Sequence, residues 1–496
     1  MKFNHPHRGI TLLGLGPGDP GLITQDASNW LNNINTVYVM TNQQLPISVF
    51  PAHLKIIALE KVHEDSDQIE NISNDIVEKV ISLGKEPPGV TYAVPGTPLV
   101  ANSTCLEIAQ RAENEGIPLQ IIDGVSFFEP TFRILRINPF SNLVLVDGIN
   151  LLSHKTPGFS PSAPVLITQM NSSFIAEKVK EILVSVYPKE HPVILVHRAG
   201  TKEETIEKCT LDAIETSQLL GSFSTLYVPP LSPYASFESF QEVIARLRAP
   251  DGCPWDRAQT HNSLRPFLLE ETYETLDALD REDLRDLEEE LGDLFLQIML
   301  HAQIASENGD FNIHQVIEGI SNKLVRRHPH VFSEVEVDDV RGVIKNWEAI
   351  KAEERRENDK PEKNGMLDGV PIALPALLQA QEVIERAKRV GLTQWMEEGE
   401  RACVLALISE IRQAGPDKQE GLLGEILFVL AAAANQHEID AESALRKSLT
   451  NFRDRFKKME LFALELGKPI VDFTEDERNR LWKSTRKNPG NEVGDD

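Results

Sequence analysis

Apolar and polar positions follow two different rhythms along the chain. Over the first 230 residues, short β-rich runs recur: ITLLGLG (10–16), TVYVM (36–40), KIIAL (55–59), VTYAV (90–94), LQIID (119–123), LVLVD (143–147), PVLITQM (164–170) and VILVH (193–197). These read as strands, with amphipathic helical segments such as 71–83 and 103–115 between them. Strands alternating with helices predict an α/β domain. VPPLSPYASF (228–237) clusters proline and serine and reads as a linker. Beyond it apolar residues recur at steps of three and four, beginning with the stripe Phe237, Phe240, Val243, Ile244 and Leu247. Four more helices are predicted over 263–279, 283–305, 313–327 and 342–355. EERRENDKPEKNG (353–365) is charged and nearly free of apolar residues, which suits a linker or exposed loop. Helical periodicity resumes near 374 and runs to about 465, and the final NPGNEVGDD reads as a frayed tail.

The two helical stretches look like a degenerate repeat, because the segment 290–327 and the segment 424–456 share pattern and order. Composition changes this picture little: with 496 residues, 41% hydrophobic and 25% charged, a soluble protein of several domains is expected. Charge changes it more. A formal net charge of -26 repels phosphate backbones and argues against general nucleic-acid binding, while it suits divalent cations and, through them, phosphorylated ligands. Cys105, Cys209, Cys253 and Cys403 are far apart, with no Cys-x-x-Cys, so neither a zinc site nor a disulfide framework is expected. MKFNHPHRG leads directly into a strand-like run without a basic-then-apolar leader, and no apolar stretch is long enough to span a bilayer. These features predict a cytoplasmic protein.

The candidate chemistry lies in LLEETYETLDALDREDLRDLEEELGDLFLQ, residues 268–297. Glu271 and Glu274 are three apart and share a helix face; Glu290 and Asp293 repeat that spacing on the next helix. Asp283 is placed to cap the second helix, and the turn around 280–283 would fold the two helices antiparallel, so the acid pairs face each other. A solvated acidic helix face is the plain alternative for any one Glu-x-x-Glu. Four facing carboxylates with few bases among them repel, and Mg²⁺, hard and oxygen-seeking, is the cation that would relieve this. Gly292 sits inside the second pair; a mid-helix glycine costs about 1 kcal/mol against alanine and suggests a packing reason. Glu270 could accept a proton from an attacking water or be a surface acid, being turned about 100° from Glu271 on a regular helix.

Glu-Glu-x-x-Glu, fifteen residues, then Glu-x-x-Asp resembles the metal motif of the MazG family of nucleoside triphosphate pyrophosphohydrolases. CPWDRAQTHNSL (253–264), KLVRRHPHVF (323–332) and NWEAIKAEER (346–355) resemble that family's other signatures, so the similarity covers about 237–357. The resemblance implies an all-α fold, usually a homodimer, in which Mg²⁺ on Glu271, Glu274, Glu290 and Asp293 binds a nucleoside triphosphate that is cleaved to a monophosphate and pyrophosphate. Lys323, Arg326, Arg327 and Lys351 could reach phosphate oxygens, or the first three could instead answer the helix C-terminus. Trp255 and Trp347 could stack on a base, though buried packing is the more ordinary role. His328 and His330 are read as structural hydrogen-bonding groups in a turn. In the second copy, Leu407 and Glu410 stand at the positions of Glu271 and Glu274, while Leu422 and Glu425 stand at those of the second pair. That copy is expected to serve packing or dimerisation.

In the first part, GLGPGDP follows a strand, but its proline departs from the G-x-G-x-x-G dinucleotide turn. GLGPGDPGLIT (14–24), VPGTPLVANST (94–104), IIDGVSFFEP (121–130), ITQM (167–170) and HRAGTKEET (197–205) together resemble the tetrapyrrole methylase family, which transfers methyl groups from S-adenosylmethionine. The resemblance implies two α/β subdomains with a cofactor cleft, contacted by Gly16, Pro17, Gly18, Pro95, Gly96, Thr97, Ser126 and Met170, largely through backbone groups. DGVSFFEP is looser than that family's Pro-Gly-x-Ser-Ser, so methyl transfer and a retained cofactor-binding scaffold both stay open. The expected layout is a methylase-like α/β domain at 1–230, an active MazG-like helical unit at 237–357 and a degenerate one at 372–487. The alternative function is a methyltransferase with a regulatory, nucleotide-sensing helical module.

Overall fold

The computed structural model describes residues 8–40, 50–59, 69–221, 223–333, 335, 337, 339–357, 367, 368, 370–392 and 400–485. They form two compact units, Met1–Cys253 and Pro254–Asp496.

The first unit is α/β and holds two five-stranded sheets. One is parallel throughout, with strands β1 (Ile10–Gly14), β2 (Thr36–Val39), β3 (Lys55–Ala58), β4 (Val90–Val94) and β5 (Leu119–Ile122) in the order β3-β2-β4-β1-β5. Every residue of β1 and β4 is buried, as parallel strands covered on both faces require. The covering helices are α1 (Gln25–Asn32), α2 (Ile69–Lys85) and α3 (Ser103–Asn114), with α4 (Phe128–Leu135) following β5. Ile10, Leu12, Val90 and Tyr92 pack on α2 and α3 on one side; Leu13, Leu15 and Ala93 meet Trp30 and Leu31 on the other.

The second sheet contains β6 (Val144–Asp147), β7 (Val165–Thr168), β8 (Pro192–His197), β9 (Thr205–Thr210) and β10 (Ser224–Val228) in the order β6-β7-β10-β8-β9. Only β6 and β7 run parallel; β10 is antiparallel to both neighbours and β9 to β8. Helices α5 (Gly148–Leu151) and α6 (Ser173–Leu183) accompany it, and α7 (Phe237–Arg248) closes the unit, started by a reciprocal Ser236–Ser239 capping box. All eight predicted strands are present. β9 and β10 were not among them: TIEKCT is a polar edge strand, and STLYV opens on two hydroxyl residues that mask a buried central strand.

The second unit is helical: α8 (Pro254–Arg257), α9 (His261–Arg281), α10 (Leu284–Asn308), α11 (Ile313–Arg327), α12 (Pro329–Phe332), α13 (Val340–Glu357), α14 (Ala376–Arg389), α15 (Glu400–Ile411), α16 (Pro416–Gln436), α17 (Ala441–Glu465) and α18 (Glu475–Ser484). α9 and α10 form a hairpin, closed by Glu282 in the left-handed region (φ 55°) and by Asp283, whose carboxylate accepts the amides of Arg285 and Asp286. α15 and α16 form a second hairpin, joined by α14 and α17. The charged stretch expected as a linker from 353 begins inside α13; residues 358–366, like the tail from 486, lie outside the described residues.

Candidate functional site

The turn at 281–284 fixes the register of the α9–α10 hairpin, and buried Thr275 holds it. Its hydroxyl donates to the Glu271 carbonyl at 2.7 Å and lies 3.4 Å from the Glu290 carbonyl on the facing helix. This brings the two acid-bearing turns together. Carboxylate oxygens of Glu271, Glu274 and Glu290 all lie within 4.8 Å of one another. Asp293 adds its charge to both Glu271 and Glu290.

The electrostatics record the crowding. Glu271 is raised above its ordinary pKa by partial desolvation, then by the charges of Asp293, Glu274 and Glu270. Glu290 is raised likewise, by desolvation and then by Glu274 and Asp293. Arg281, a nearby base, is taken up by Asp277 and Asp286 at the hairpin turn. Glu270 is exposed and reaches the cluster through its charge on Glu271. No packing reason for Gly292 is found among the described residues, where a Cβ there would meet no atom of another element within 4 Å.

The basic residues are more committed than their sequence suggested. Arg327 bonds Glu354 through Nε (3.2 Å to each oxygen) and through Nη2 (2.5 Å), and Arg326 reaches the other oxygen at 2.6 Å. Glu354 is only 7% exposed, and the hydrogen bond from Arg327, then that from Arg326, holds its carboxyl below the usual range. Lys351 lies 4.5 Å and Arg327 5.3 Å from the Trp347 ring centroid, so this tryptophan packs against cations. Lys323 is exposed on α11. Trp255 corrects the expectation of buried packing: it is 59% exposed, with only its edge against Phe267. His328 Nδ1 bonds the Leu324 carbonyl at 2.7 Å, the structural role expected of it.

In the second hairpin Leu407 and Leu422 are half-buried and Glu410 and Glu425 are exposed. Its helix α17 also reaches the first hairpin, where Arg446 pairs with Asp280 at 2.6 Å, both largely buried.

In the α/β unit, three loops leave the carboxyl ends of β1, β4 and β5, where the chain direction across the sheet reverses and open α/β sheets bind ligands. They touch through glycines. Gly16 and Gly96, both at positive φ, exchange backbone hydrogen bonds of 3.1 and 2.7 Å, and a Cβ on Gly124 would lie 2.1 Å from the Gly96 carbonyl oxygen. On its own outer side Gly96 faces open space, since a Cβ there would meet nothing within 4 Å. Thr97 donates to Asp123 at 3.3 Å. Pro17 and Gly18 instead pack on Gly200 and Thr201 of the second sheet, and the Asp19 amide bonds the Gly200 carbonyl at 2.9 Å. Ser126 is buried and spent locally, donating to Glu129 at 2.5 Å and accepting the Phe128 amide. Met170 has its side chain wholly inside the second-sheet core and its amide on the Ser224 carbonyl, leaving its own carbonyl as the backbone group it could offer a ligand.

A cavity of about 460 Å³ opens beside these loops, lined by Asp19, Gly21 and Leu22 after β1, by Val125, Glu129, Pro130 and Arg133 around α4, and by Gly200, Thr201 and Glu204 after β8. Sequence reasoning missed its charged residues, because nothing in their spacing joins three distant segments.

Residues 9–215 match the family model of the tetrapyrrole (corrin/porphyrin) methylases, and residues 259–332 match that of the MazG nucleotide pyrophosphohydrolase domain. Along almost its whole length the chain resembles the uncharacterized protein YabN of Bacillus subtilis, at 34% identity over 96% of this chain and 98% of that one. The nucleoside triphosphate pyrophosphohydrolase/pyrophosphatase MazG of Thermotoga maritima is 37% identical over 50% of this chain and 95% of its own length. The nucleoside triphosphate pyrophosphohydrolase of Escherichia coli K12 is 37% identical over 49% of this chain and 95% of its own.

Proposed function

Because the chain belongs to the family that fuses a tetrapyrrole methylase unit to a MazG nucleotide pyrophosphohydrolase unit, we propose that its helical unit hydrolyses nucleoside triphosphates to monophosphates and pyrophosphate with Mg²⁺. One observation carries this reading: the oxygens of Glu271, Glu274 and Glu290 converge within 4.8 Å. Three carboxylates that repel when left alone are a donor set suited to a hard divalent ion, with Asp293 completing it. When bound, Mg²⁺ would neutralise phosphate oxygens and make a water nucleophilic near neutral pH. Glu271, Glu274 and Glu290 would hold the ion, with Asp293, whose charge bears on Glu271 and Glu290, as the proposed fourth ligand, and the ion would position the triphosphate. Glu270, exposed beside them, is the group proposed to accept the proton of the attacking water. Lys323 and Lys351 are the proposed phosphate contacts; Arg326 and Arg327 would have to share their charge with Glu354. The exposed Trp255 indole suits stacking on a base.

The hairpin also supports a homodimer. Leu269, Tyr273, Leu279, Leu291, Phe295 and Ile298 are apolar and 37–53% exposed along α9 and α10, a stripe that a second copy would cover. Among the described residues, no helix is long and apolar enough to cross a membrane; the free thiols Cys105, Cys209 and Cys253 fit a cytoplasmic setting. In the α/β unit, the open space over Gly96 supports S-adenosylmethionine bound through the backbone of residues 16–18 and 95–97, beside Ser126 and the Met170 carbonyl. The cofactor would supply an activated methyl group.

The test is a panel of nucleoside triphosphates with purified protein and Mg²⁺, with products identified. Monophosphate and pyrophosphate are expected. Full activity in Glu271→Gln and Asp293→Asn would sink the assignment.

A further inference from the structure

The cavity beside α4 has more acidic than basic side chains in its lining. Three carboxylates line it, Asp19, Glu129 and Glu204, against one basic side chain, Arg133. That guanidinium is already spent: Nη2 bonds both oxygens of Glu204, at 2.8 and 2.7 Å. Glu204 also accepts the Gly200 amide, so the Arg133–Glu204 pair adds no net charge to the wall. Asp19 and Glu129 remain. Among the described residues, the Asp19 carboxylate accepts the Gly21 amide and that of Glu129 the Ser126 hydroxyl, and no ion pair involves either. The lining also includes the apolar side chains of Leu22, Val125 and Pro130.

We propose that this cavity binds a small organic cation, an alkylamine or alkylammonium compound whose charge lies toward Asp19 and Glu129 and whose hydrocarbon lies along Leu22, Val125 and Pro130. Its volume, about 460 Å³, is that of an ordinary small-molecule site. A tetrapyrrole bearing several carboxylates meets the reverse of what it needs here, like charge on two sides and an arginine already paired. The expected cofactor contacts Pro95, Gly96, Thr97 and Met170 are not among the lining residues, so the cavity is a place next to the cofactor cradle and separate from it. The charge argument stands whether or not the cradle holds S-adenosylmethionine, and the test keeps the two apart.

The full-length protein is titrated calorimetrically with spermidine at roughly 0.15 M salt, where exposed charges beyond about 8 Å are screened. That condition matters in a chain of net charge -26. Saturable binding of one spermidine is expected, weakened about tenfold by Glu129→Gln, which removes one charge-assisted contact and keeps an acceptor for Ser126. Arg133→Ala should tighten it several-fold by releasing the Glu204 charge. Glu190→Gln, the same change at an exposed site of the same unit, should leave it unaltered. Absence of saturable binding, or equal weakening by Glu190→Gln, overturns the proposal. So does tight binding of uroporphyrin that Arg133→Ala abolishes. S-adenosylhomocysteine is titrated separately: its failure to bind removes the cofactor reading alone, whereas competition between it and spermidine would merge the two sites and overturn this one.

Discussion

The two helical hairpins of the second unit are built alike and differ in what they carry. α9–α10 and α15–α16 each fold two long helices together through a short connection, and each is followed by a capped helix, α11 behind Asn312 and α17 behind Asp440. In the first, Glu271, Glu274 and Glu290 gather their oxygens. In the second, Leu407 and Leu422 stand at two of those positions. The backbone pattern alone therefore does not set the chemistry: the side chains on the facing helices decide between a cluster of carboxylates and an apolar contact. Arg446 of α17 pairs with Asp280 near the turn of the first hairpin, so the two helical stretches are tied together by an ion pair there.

The largest effect should come from the difference itself. Glu271→Gln or Glu290→Gln removes a proposed ligand, and kcat/KM for triphosphate hydrolysis should fall by more than about 100-fold, since even outer-shell partners of metal ligands are worth 10–100-fold. Glu410→Gln and Glu425→Gln, the equivalent changes in the second hairpin, should leave the rate within about twofold. A comparable loss from the second pair would break the comparison, because both copies would then contribute to catalysis.

A sharper test is to write the first hairpin's residues into the second. Leu407→Glu with Leu422→Glu, in a Glu271→Gln background, should restore no hydrolysis: positions 293 and 271 have Glu425 and a new glutamate as counterparts, but the half-buried leucines also pack their own helices. Burying two charges there should lower the melting temperature instead. Recovery of pyrophosphate release would show that four carboxylates on this hairpin suffice, and that the second copy is one double substitution from activity.

Much of this comparison was legible in the sequence. The helix predicted over 313–327 is Ile313–Arg327, and three of the four acids picked out by their spacing, Glu271, Glu274 and Glu290, have oxygens within 4.8 Å of one another; Asp293 is not in that group. What escaped is long-range. Glu354 lies in a run of charges that reads as solvated, yet it is buried because two arginines from α11 converge on it. Trp255 reads as core by its type and is exposed, and among the described residues a Cβ on Gly292 would meet nothing within 4 Å where packing was expected. Each outcome depends on a partner that local periodicity does not name. The same holds for β10, whose hydroxyl-rich start hides a central strand until its neighbours β7 and β8 are known.

The buried ion pair gives an intermediate effect. Glu354→Gln keeps the shape but leaves Arg326 and Arg327 facing a neutral amide; the loss of charged hydrogen bonds should destabilise the helical unit by about 2 kcal/mol. Denaturant unfolding of both proteins checks this. The carboxyl of Glu354 is held below its ordinary value of 4.5, so its contribution is complete above that value and disappears as pH falls through the lowered one. The gap between wild type and variant should therefore close below about pH 4. A gap that persists in acid would assign the effect to packing.

The smallest effect has the opposite sign. Glu290 in the metal-free hairpin has its pKa raised above 4.5, by desolvation and by its acidic neighbours. A carboxyl raised on folding favours the native state below the unfolded value and loses that advantage as pH rises through the folded one. In the presence of a chelator, Glu290→Gln should therefore melt slightly higher than wild type at pH 8, and the difference should vanish near pH 4. Adding Mg²⁺ should invert the order, because wild type gains the free energy of binding and the variant gains less. Glu410→Gln supplies the control from the second hairpin: Glu410 is exposed and Leu407 and Leu422 stand where the first hairpin has acids, so neither chelator nor Mg²⁺ should separate it from wild type. A Glu290→Gln protein that melts below wild type in chelator would mean that this carboxylate has a stabilising partner when the metal is absent. The contrast between the hairpins would then lie in their packing as well as in their charge.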